Sequence, residues 1–454
     1  MPALVPRVVV AGTHSGVGKT TVATGLMAAW RKRGLRVGAA KVGPDYIDPG
    51  YHAMATSRPG RNLDAWMCGP EAIPPLAGRA GDGCDVLVVE GVMGLFDGAD
   101  DPAGPSGSTA QVAALLDAPV VLVVDASSMS RSVAALVHGY TSFDPSVRVA
   151  GVVLNRVGSD AHERMLREAL APSGIPVVGV LRRSDAFSWR DRHLGLVPVV
   201  EQPDVVLSSV EALAEAVEQM VDLDAVLTLA RSAGTVRVGR PPRPWHQASV
   251  RVGVAAGRAF SFTYPDNLEA LEQAGAELVE FDPCTEPHLP PHLDGLYVGG
   301  GFPEVFAELL AANLTLLADV RLQVSKGLVT WAECGGLLWL CSSLDGHRLA
   351  GVVKAEARMS DRLTLGYRRA QLVVDTPLGP AGTELRGHEF HYSTLEPPGD
   401  ALELRSRQGT GTAGYASPTL LASYLHVHLG GDPTTAEHFV RAAAGGEDGA
   451  SPRR

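Results

Sequence analysis

One stretch constrains this chain more than any other: Val8-Val-Val-Ala-Gly12-Thr13-His14-Ser15-Gly16-Val17-Gly18-Lys19-Thr20-Thr21. A β-branched run ends at Ala11, a glycine-rich turn follows, and Val22, Leu26 and Trp30 then recur as on one face of a helix that closes at Gly34. A strand, a glycine turn and a helix N-terminus together form a phosphate cradle, because backbone N–H groups converge on an anion and the helix dipole favours negative charge there. Gly12, Thr13, Gly16, Val17, Gly18, Lys19, Thr20 and Thr21 are the ATP-binding candidates. Lys19 is placed to reach the β and γ phosphates and the Thr20 hydroxyl to bind Mg²⁺. The strict motif wants glycine where Thr13 stands; Gly12 comes one residue earlier, so the loop is longer by one. Chance glycines in an ordinary turn are the competing reading. Gly16, Gly18, Lys19 and Thr20, set between a strand and a helix, weigh against it.

The following residues alternate strands with helices. Strands are expected at 36–41, 85–90, 119–124, 147–155 and 176–180, and several of these are near-continuous Val/Leu runs, which predict a parallel sheet covered on both faces. Helices are expected at 109–116, 130–140 and 161–170. Ligands of such a doubly wound α/β domain gather at the carboxyl ends of the strands. Two of those ends are polar: Lys41-Val-Gly-Pro-Asp45-Tyr46-Ile-Asp48 and Glu90-Gly-Val-Met-Gly94-Leu-Phe96-Asp97. Mg²⁺ takes one or two carboxylates with phosphate oxygens and water, which selects Asp45 and Glu90 beside Thr20; solvated loop acids are the bland alternative. Asn155, at another strand end, either reads a purine edge or caps a loop.

One or two amphipathic helices are expected over 208–229. Arg240-Pro-Pro-Arg-Pro-Trp-His246 then reads as a linker, so the expected domains are 1–245 and 246–442, followed by a disordered tail at 443–454. The second domain opens with a strand at 250–255, followed by strands at 277–281 and 295–298. Its decisive segment is Thr330-Trp331-Ala332-Glu333-Cys334-Gly335-Gly336, a strand running into a tight turn with Cys at its tip and a helix beyond. That is a nucleophile elbow, and the helix N-terminus favours the thiolate. Downstream, Leu421–His428 reads as one short apolar strand ending in two histidines. A cysteine on an elbow with a downstream histidine is a candidate thiol dyad, although singly each residue type is more often structural.

Composition narrows the classes. The chain has 454 residues and a net charge of −11, which disfavours nucleic acid as a partner. Five cysteines without a CxxC pair suggest neither a disulfide framework nor a zinc site. No signal segment and no apolar run long enough to span a bilayer are evident, so no membrane partner and a cytoplasmic location are expected.

The segments GTHSGVGKTT, KVGPDYIDPGYH, EGVMGLFDG, LNRVGSDAH, DGLYVGGGFPE, AECGGLLWL, RGHEFHYS and ASYLHVH resemble the a,c-diamide synthases of corrinoid biosynthesis. They run from residue 11 to residue 428, nearly the whole chain. The resemblance implies a P-loop domain similar to dethiobiotin synthetase followed by a class I glutamine amidotransferase domain. It implies ATP- and glutamine-dependent amidation of the a and c carboxylates of a corrinoid polycarboxylate, with Thr20, Asp45 and Glu90 matching the Mg²⁺ ligands. Lys41, Tyr46, Asp48 and Asp97 fall on the acceptor side. Amidation needs an activated carboxylate, hence an acyl phosphate, and unprotonated ammonia, hence glutamine cleavage by Cys334 with His426 as base. N–H groups near Gly300, Gly301 and Gly335 are the expected oxyanion hole.

Two departures from the amidotransferase pattern stand out. Ala332 replaces the first elbow glycine and is small enough for the turn. His428 stands where the third, acidic residue belongs, which implies a Cys-His dyad. Whether the acceptor carries cobalt stays open, with the Ala/Gly/Arg-rich composition leaning to hydrogenobyrinate, and so does assembly, a homodimer included. The rivals are an amidase of another tetrapyrrole, such as nickel sirohydrochlorin, and a P-loop regulatory ATPase with an inactive amidotransferase domain. That last class carries a second P-loop lysine where this chain has His14.

Overall fold

The computed structural model describes residues 3–101, 104–183, 191–192, 195–196, 198–238, 250–407 and 409–445. The chain divides into two compact units, Met1–Pro241 and Pro242–Arg454. The expected linker at 240–246 and the tail from 446 onward lie outside the described residues.

The first unit is built on seven parallel strands in the order Arg61–Leu63, Val37–Val42, Val86–Glu90, Arg7–Gly12, Val120–Asp125, Val149–Val157, Val177–Arg182. The Val-rich runs form its interior, and Arg7–Gly12 is buried along its whole length. The expected strands and the helices expected at 109–116, 130–140 and 161–170 lie within two residues of the observed ones, whereas the helices expected over 208–229 are Pro203–Met220 and Leu223–Arg231. Register does the functional work: Val10 pairs with Glu90 and Lys41 pairs with Glu90, so the P-loop, Lys41 and Glu90 reach one rim. The helix Lys19–Lys32 lies against Pro203–Met220, and Gly25 permits that approach, since a Cβ there would sit 2.4 Å from Val217 Cγ2.

The second unit carries two sheets. The first runs Ala276–Phe281, Val250–Ala255, Gly295–Val298, Val329–Glu333, Leu420–Ser423, all parallel, with Tyr415–Ser417 added antiparallel. Trp331 stacks on Tyr297 with ring centroids 4.3 Å apart, anchoring the middle of this sheet. The second sheet centres on the long antiparallel pair Val353–Leu372 and Glu384–Glu396. The single strand expected at 421–428 is in fact two. Leu420–Ser423 belongs to the parallel sheet, whereas His426–Val427 pairs antiparallel with Gly387–His388 in the other. Apolar side chains are buried on both sides of the switch, so the sequence reads as one run. Ser423 Oγ marks the corner by accepting Leu425 N–H at 3.3 Å. Among the described residues no helix is long and apolar enough to cross a membrane.

Gly336 lies behind the elbow, where an added Cβ would stand 2.3 Å from the Val298 carbonyl oxygen. Gly336→Ala is expected to cost about 2 kcal/mol or more of stability, read as a lowered unfolding midpoint of the second unit.

Candidate active sites

In the first unit the sequence Gly16-Val-Gly18 turns sharply because both glycines take positive φ, 78° and 99°, which other residues rarely adopt. Gly18 precedes Lys19–Lys32 as its N-cap and offers no side-chain acceptor, so the first N–H groups of the helix face the loop unpaired by a cap. Val17 is buried and holds the loop down, while His14, Ser15 and Gly16 are exposed. Thr13 accepts the Tyr140 hydroxyl through its carbonyl, at 2.5 Å. Lys19 donates to the His14 carbonyl at 3.1 Å, and its ammonium is lowered to about 8, first by burial and then by Lys41.

Beside the cradle lies a tight ionic cluster. Glu90 has no solvent exposure; its Oε1 accepts Lys41 Nζ at 2.7 Å and Thr20 Oγ1 at 2.7 Å, and its Oε2 meets His52 Nε2 at 2.6 Å. Asp48 Oδ2 accepts Lys41 at 2.5 Å and faces Thr20 Oγ1 at 3.4 Å. Burial alone would raise Glu90, but Lys41 and then the bond from His52 outweigh it and hold the carboxyl well below its usual range. Asp48 is instead pushed well up, by burial and then by Asp45. Three carboxylates, Asp45, Asp48 and Glu90, thus crowd around Lys41 on one rim, which disfavours charge on Asp48.

Asp45 does something else. Its Oδ1 accepts the N–H groups of Ile47 and Asp48, at 2.8 and 3.0 Å, and so opens the helix Asp48–Thr56, while its Oδ2 stays 3.9 Å from Lys41. Asp48 is the carboxylate that reaches Thr20 Oγ1 and Lys41, beside Glu90 and the expected Asp45. Asn155 turns its amide onto the P-loop and donates to the Val17 carbonyl at 2.7 Å, the loop-capping alternative. Asp97 is exposed and accepts Gly94 N–H at 2.8 Å, and Tyr46 is half-buried on the Asp45 loop. Among the described residues no group of three or more His, Cys, Asp or Glu is placed to hold a metal ion. A hydroxyl with two carboxylates is nevertheless the donor set Mg²⁺ uses when phosphate and water complete its octahedron.

In the second unit Cys334 sits at φ 45° and ψ −100°, a backbone that presents the side chain at the tip of the turn. Its N–H is held by the Ser423 carbonyl at 2.8 Å, and Gly335–Leu340 starts immediately after it. Cys334 hydrogen-bonds the fully buried His426. Burial opposes charge on that imidazole, but Cys334 and, after it, Glu333 raise it to about 10. The ring lies flush on Gly300, where a Cβ would stand 2.5 Å from His426 Cε1. Burial pushes the Cys341 and Cys284 thiols up to about 12 and about 11.

Gly300 is corrected as an oxyanion donor, because its N–H already goes to the Phe262 carbonyl at 3.0 Å. Gly301 and Gly335 remain adjacent, with Gly301 N 3.0 Å from where a Cβ of Gly335 would be. His428 is committed elsewhere: its Nδ1 accepts Gly430 N–H at 3.0 Å and its ring packs 4.5 Å from that of Tyr264.

Residues 8–197 match the CobQ/CobB/MinD/ParA nucleotide binding domain, and residues 251–434 match the CobB/CobQ-like glutamine amidotransferase domain. A hydrogenobyrinate a,c-diamide synthase of Streptomyces coelicolor is 50% identical over 96% of this chain and 97% of its own length. One of Thermobifida fusca is 45% identical over 97% and 98%, and a cobyrinate a,c-diamide synthase of Syntrophotalea carbinolica is 44% identical over 96% and 98%. The chain belongs to the hydrogenobyrinate/cobyrinate a,c-diamide synthase family.

In this member of the synthase family two site residues escape sequence reasoning. His52 looks like an ordinary helix residue, yet the helix Asp48–Thr56 turns it onto Glu90. Glu333 precedes the nucleophile and reads as part of the strand, yet its Oε2 lies 3.8 Å from His426 Nδ1. An acid immediately before an elbow cysteine, where a buried strand should be apolar, is the signal that was available.

Removing Lys41 leaves two buried carboxylates without their cation. Lys41→Met is expected to destabilise the first unit by about 3–5 kcal/mol at pH 8. Glu90 has a depressed pKa, so its pairing stabilises the fold above the ordinary value of 4.5 and is lost as pH falls through the depressed one. The deficit of Lys41→Met, read from thermal melts across pH, is therefore expected to shrink below that value.

Proposed function

We propose that the chain amidates the a and c side-chain carboxylates of a corrinoid polycarboxylate, using ATP in its first unit and glutamine in its second. The observation that carries this reading is the Cys334–His426 pair on a nucleophile elbow, in a chain that also holds a P-loop with a strand-end carboxylate cluster. The nucleotide half is taken as 1–245 and the glutaminase half as 246–442. Hydrogenobyrinate is the favoured acceptor, since the relatives at 50% and 45% identity quoted above carry that name.

In the first half the glycine loop and the start of Lys19–Lys32 take the triphosphate, and Lys19 leaves the His14 carbonyl for the transferring phosphate. An acceptor carboxylate oxygen attacks the γ phosphorus, the bond to the bridging oxygen breaks, and ADP departs. Thr20, Asp48 and Glu90 would hold Mg²⁺, which when bound supplies positive charge for the phosphate oxygens and favours the ionised form of Asp48. Lys41 is then released from part of its carboxylate load and can meet the acceptor carboxylate. Ammonia attacks the resulting acyl phosphate, phosphate leaves, and the amide remains. Tyr46 and Asp97 border the same rim as acceptor contacts.

In the second half the Cys334 thiolate attacks the glutamine side-chain carbonyl. The N–H groups of Gly301 and Gly335 receive the oxyanion. His426 gives its proton to the departing nitrogen, and ammonia leaves. It then takes a proton from water, which hydrolyses the thioester to glutamate.

Cys334→Ala is expected to lower glutamine-dependent diamide formation by about 10³-fold or more, while high ammonium salt still supports it. Lys19→Ala is expected to abolish the reaction with either nitrogen source. The assay supplies ATP, Mg²⁺ and each nitrogen donor with hydrogenobyrinate, cobyrinate or nickel sirohydrochlorin, and counts added amides by mass spectrometry. Equal loss of both nitrogen sources in Cys334→Ala, or two amides on nickel sirohydrochlorin alone, overturns the reading.

A further inference from the structure

We propose that Glu333 is the positioning acid of the glutaminase centre, holding His426 from the residue next to the nucleophile; this rests on the glutamine-hydrolysing reading above. Amidotransferases of this class were expected to place an acid two residues beyond the base, and His428 occupies that place. Its bonds to Gly430 and its contact with Tyr264 tie it into a different part of the fold. The chain meets the same chemical need from another strand.

Three observations support the assignment. Glu333 has no solvent exposure and is the last residue of Val329–Glu333, so its charge must be answered locally. Its Oε1 accepts Val427 N–H at 2.9 Å, which grips the two-residue strand carrying His426. Its Oε2 accepts the Tyr297 hydroxyl at 3.1 Å and lies 3.8 Å from His426 Nδ1, within ion-pair range. Asn267 completes the grip by donating to the Val427 carbonyl and accepting Leu429 N–H, both at 2.7 Å. The imidazole is thus held between Glu333 at Nδ1 and Gly300 against Cε1, which fixes the nitrogen offered to Cys334.

A carboxylate at Nδ1 stabilises the imidazolium that forms whenever Cys334 is a thiolate, and keeps one tautomer when the ring is neutral. The other groups around His426 do not supply this charge. His388 lies tilted against it at 5.0 Å between centroids, and burial, then His426, holds His388 well below its ordinary value. Burial holds His391 down at about 4. Glu389 is neutralised by Arg368 at 2.7 Å.

The test compares Glu333→Gln and Glu333→Asp with the parent, in the full chain, by the pH profile of glutamine hydrolysis and by thermal melts. Glutamine at residue 333 keeps the size and hydrogen-bonding capacity but removes the charge. The expected result is a kcat at least about tenfold lower, a KM within about twofold, and an alkaline limb moved to lower pH by about one unit, because the imidazolium has lost its counter-charge. Glu333→Asp keeps the charge and is expected to keep the parent's alkaline limb. If Glu333→Gln fails to fold, Glu333→Asp carries the test alone, and a limb shifted down despite the charge overturns the proposal. A Glu333→Gln variant with the parent's kcat and limb overturns it too, as does an identical loss in both variants, which would mark a role in folding only. Absence of glutamine hydrolysis in the parent would sink the glutaminase reading itself. Hydrolysis in the parent with an indifferent Glu333→Gln sinks the Glu333 assignment alone.

Discussion

A carboxylate cut off from water has to be answered by its neighbours, and each unit of this chain ends an interior parallel strand on such a group. Glu90 closes Val86–Glu90 and Glu333 closes Val329–Glu333, both with no exposed surface. Around Glu90 the answer is an ammonium, an imidazole and a hydroxyl, from Lys41, His52 and Thr20. Around Glu333 it is a backbone N–H, a phenol and the edge of an imidazole, from Val427, Tyr297 and His426. Breaking either set would strand a buried charge, so the carboxylates fix the loops and strand ends that carry the chemistry.

The two centres use that constraint in opposite senses. The phosphate rim crowds carboxylates so closely that charge on Asp48 is disfavoured, a cluster that a divalent cation is suited to occupy. The thiol centre pairs one nucleophile with one base, and there the carboxylate supports positive charge on His426. Cys341, by contrast, is buried among apolar residues and its thiol is pushed up. Being on an elbow next to an imidazole, rather than merely being a buried thiol, separates Cys334 from it.

Much of this was legible in the sequence because it is local. The Val-rich runs, the glycine turn before Lys19 and the strand-Cys-Gly-Gly elbow all lie within contiguous windows, and the structure places them as expected. What was missed depends on partners distant along the chain. Glu90 meets His52 across 38 residues and Glu333 meets Val427 across 94. The choice between Asp45 and Asp48 turns on which carboxylate caps the start of Asp48–Thr56, a matter of one helical turn. Gly300 was misjudged because a lone bridge to Phe262 consumes its N–H, and no periodicity announces a lone bridge. The switch between sheets at 424–425 was hidden because both of its sides are buried.

The proposed activation of a carboxylate by phosphoryl transfer in the first unit, before nitrogen arrives, moves one carboxylate oxygen onto phosphate. The direct measurement follows ¹⁸O from the acceptor's labelled carboxylates during turnover with ATP and ammonia. Attack on the γ phosphorus predicts one labelled oxygen in the inorganic phosphate for each amide formed. Amide formation that releases unlabelled phosphate would contradict it.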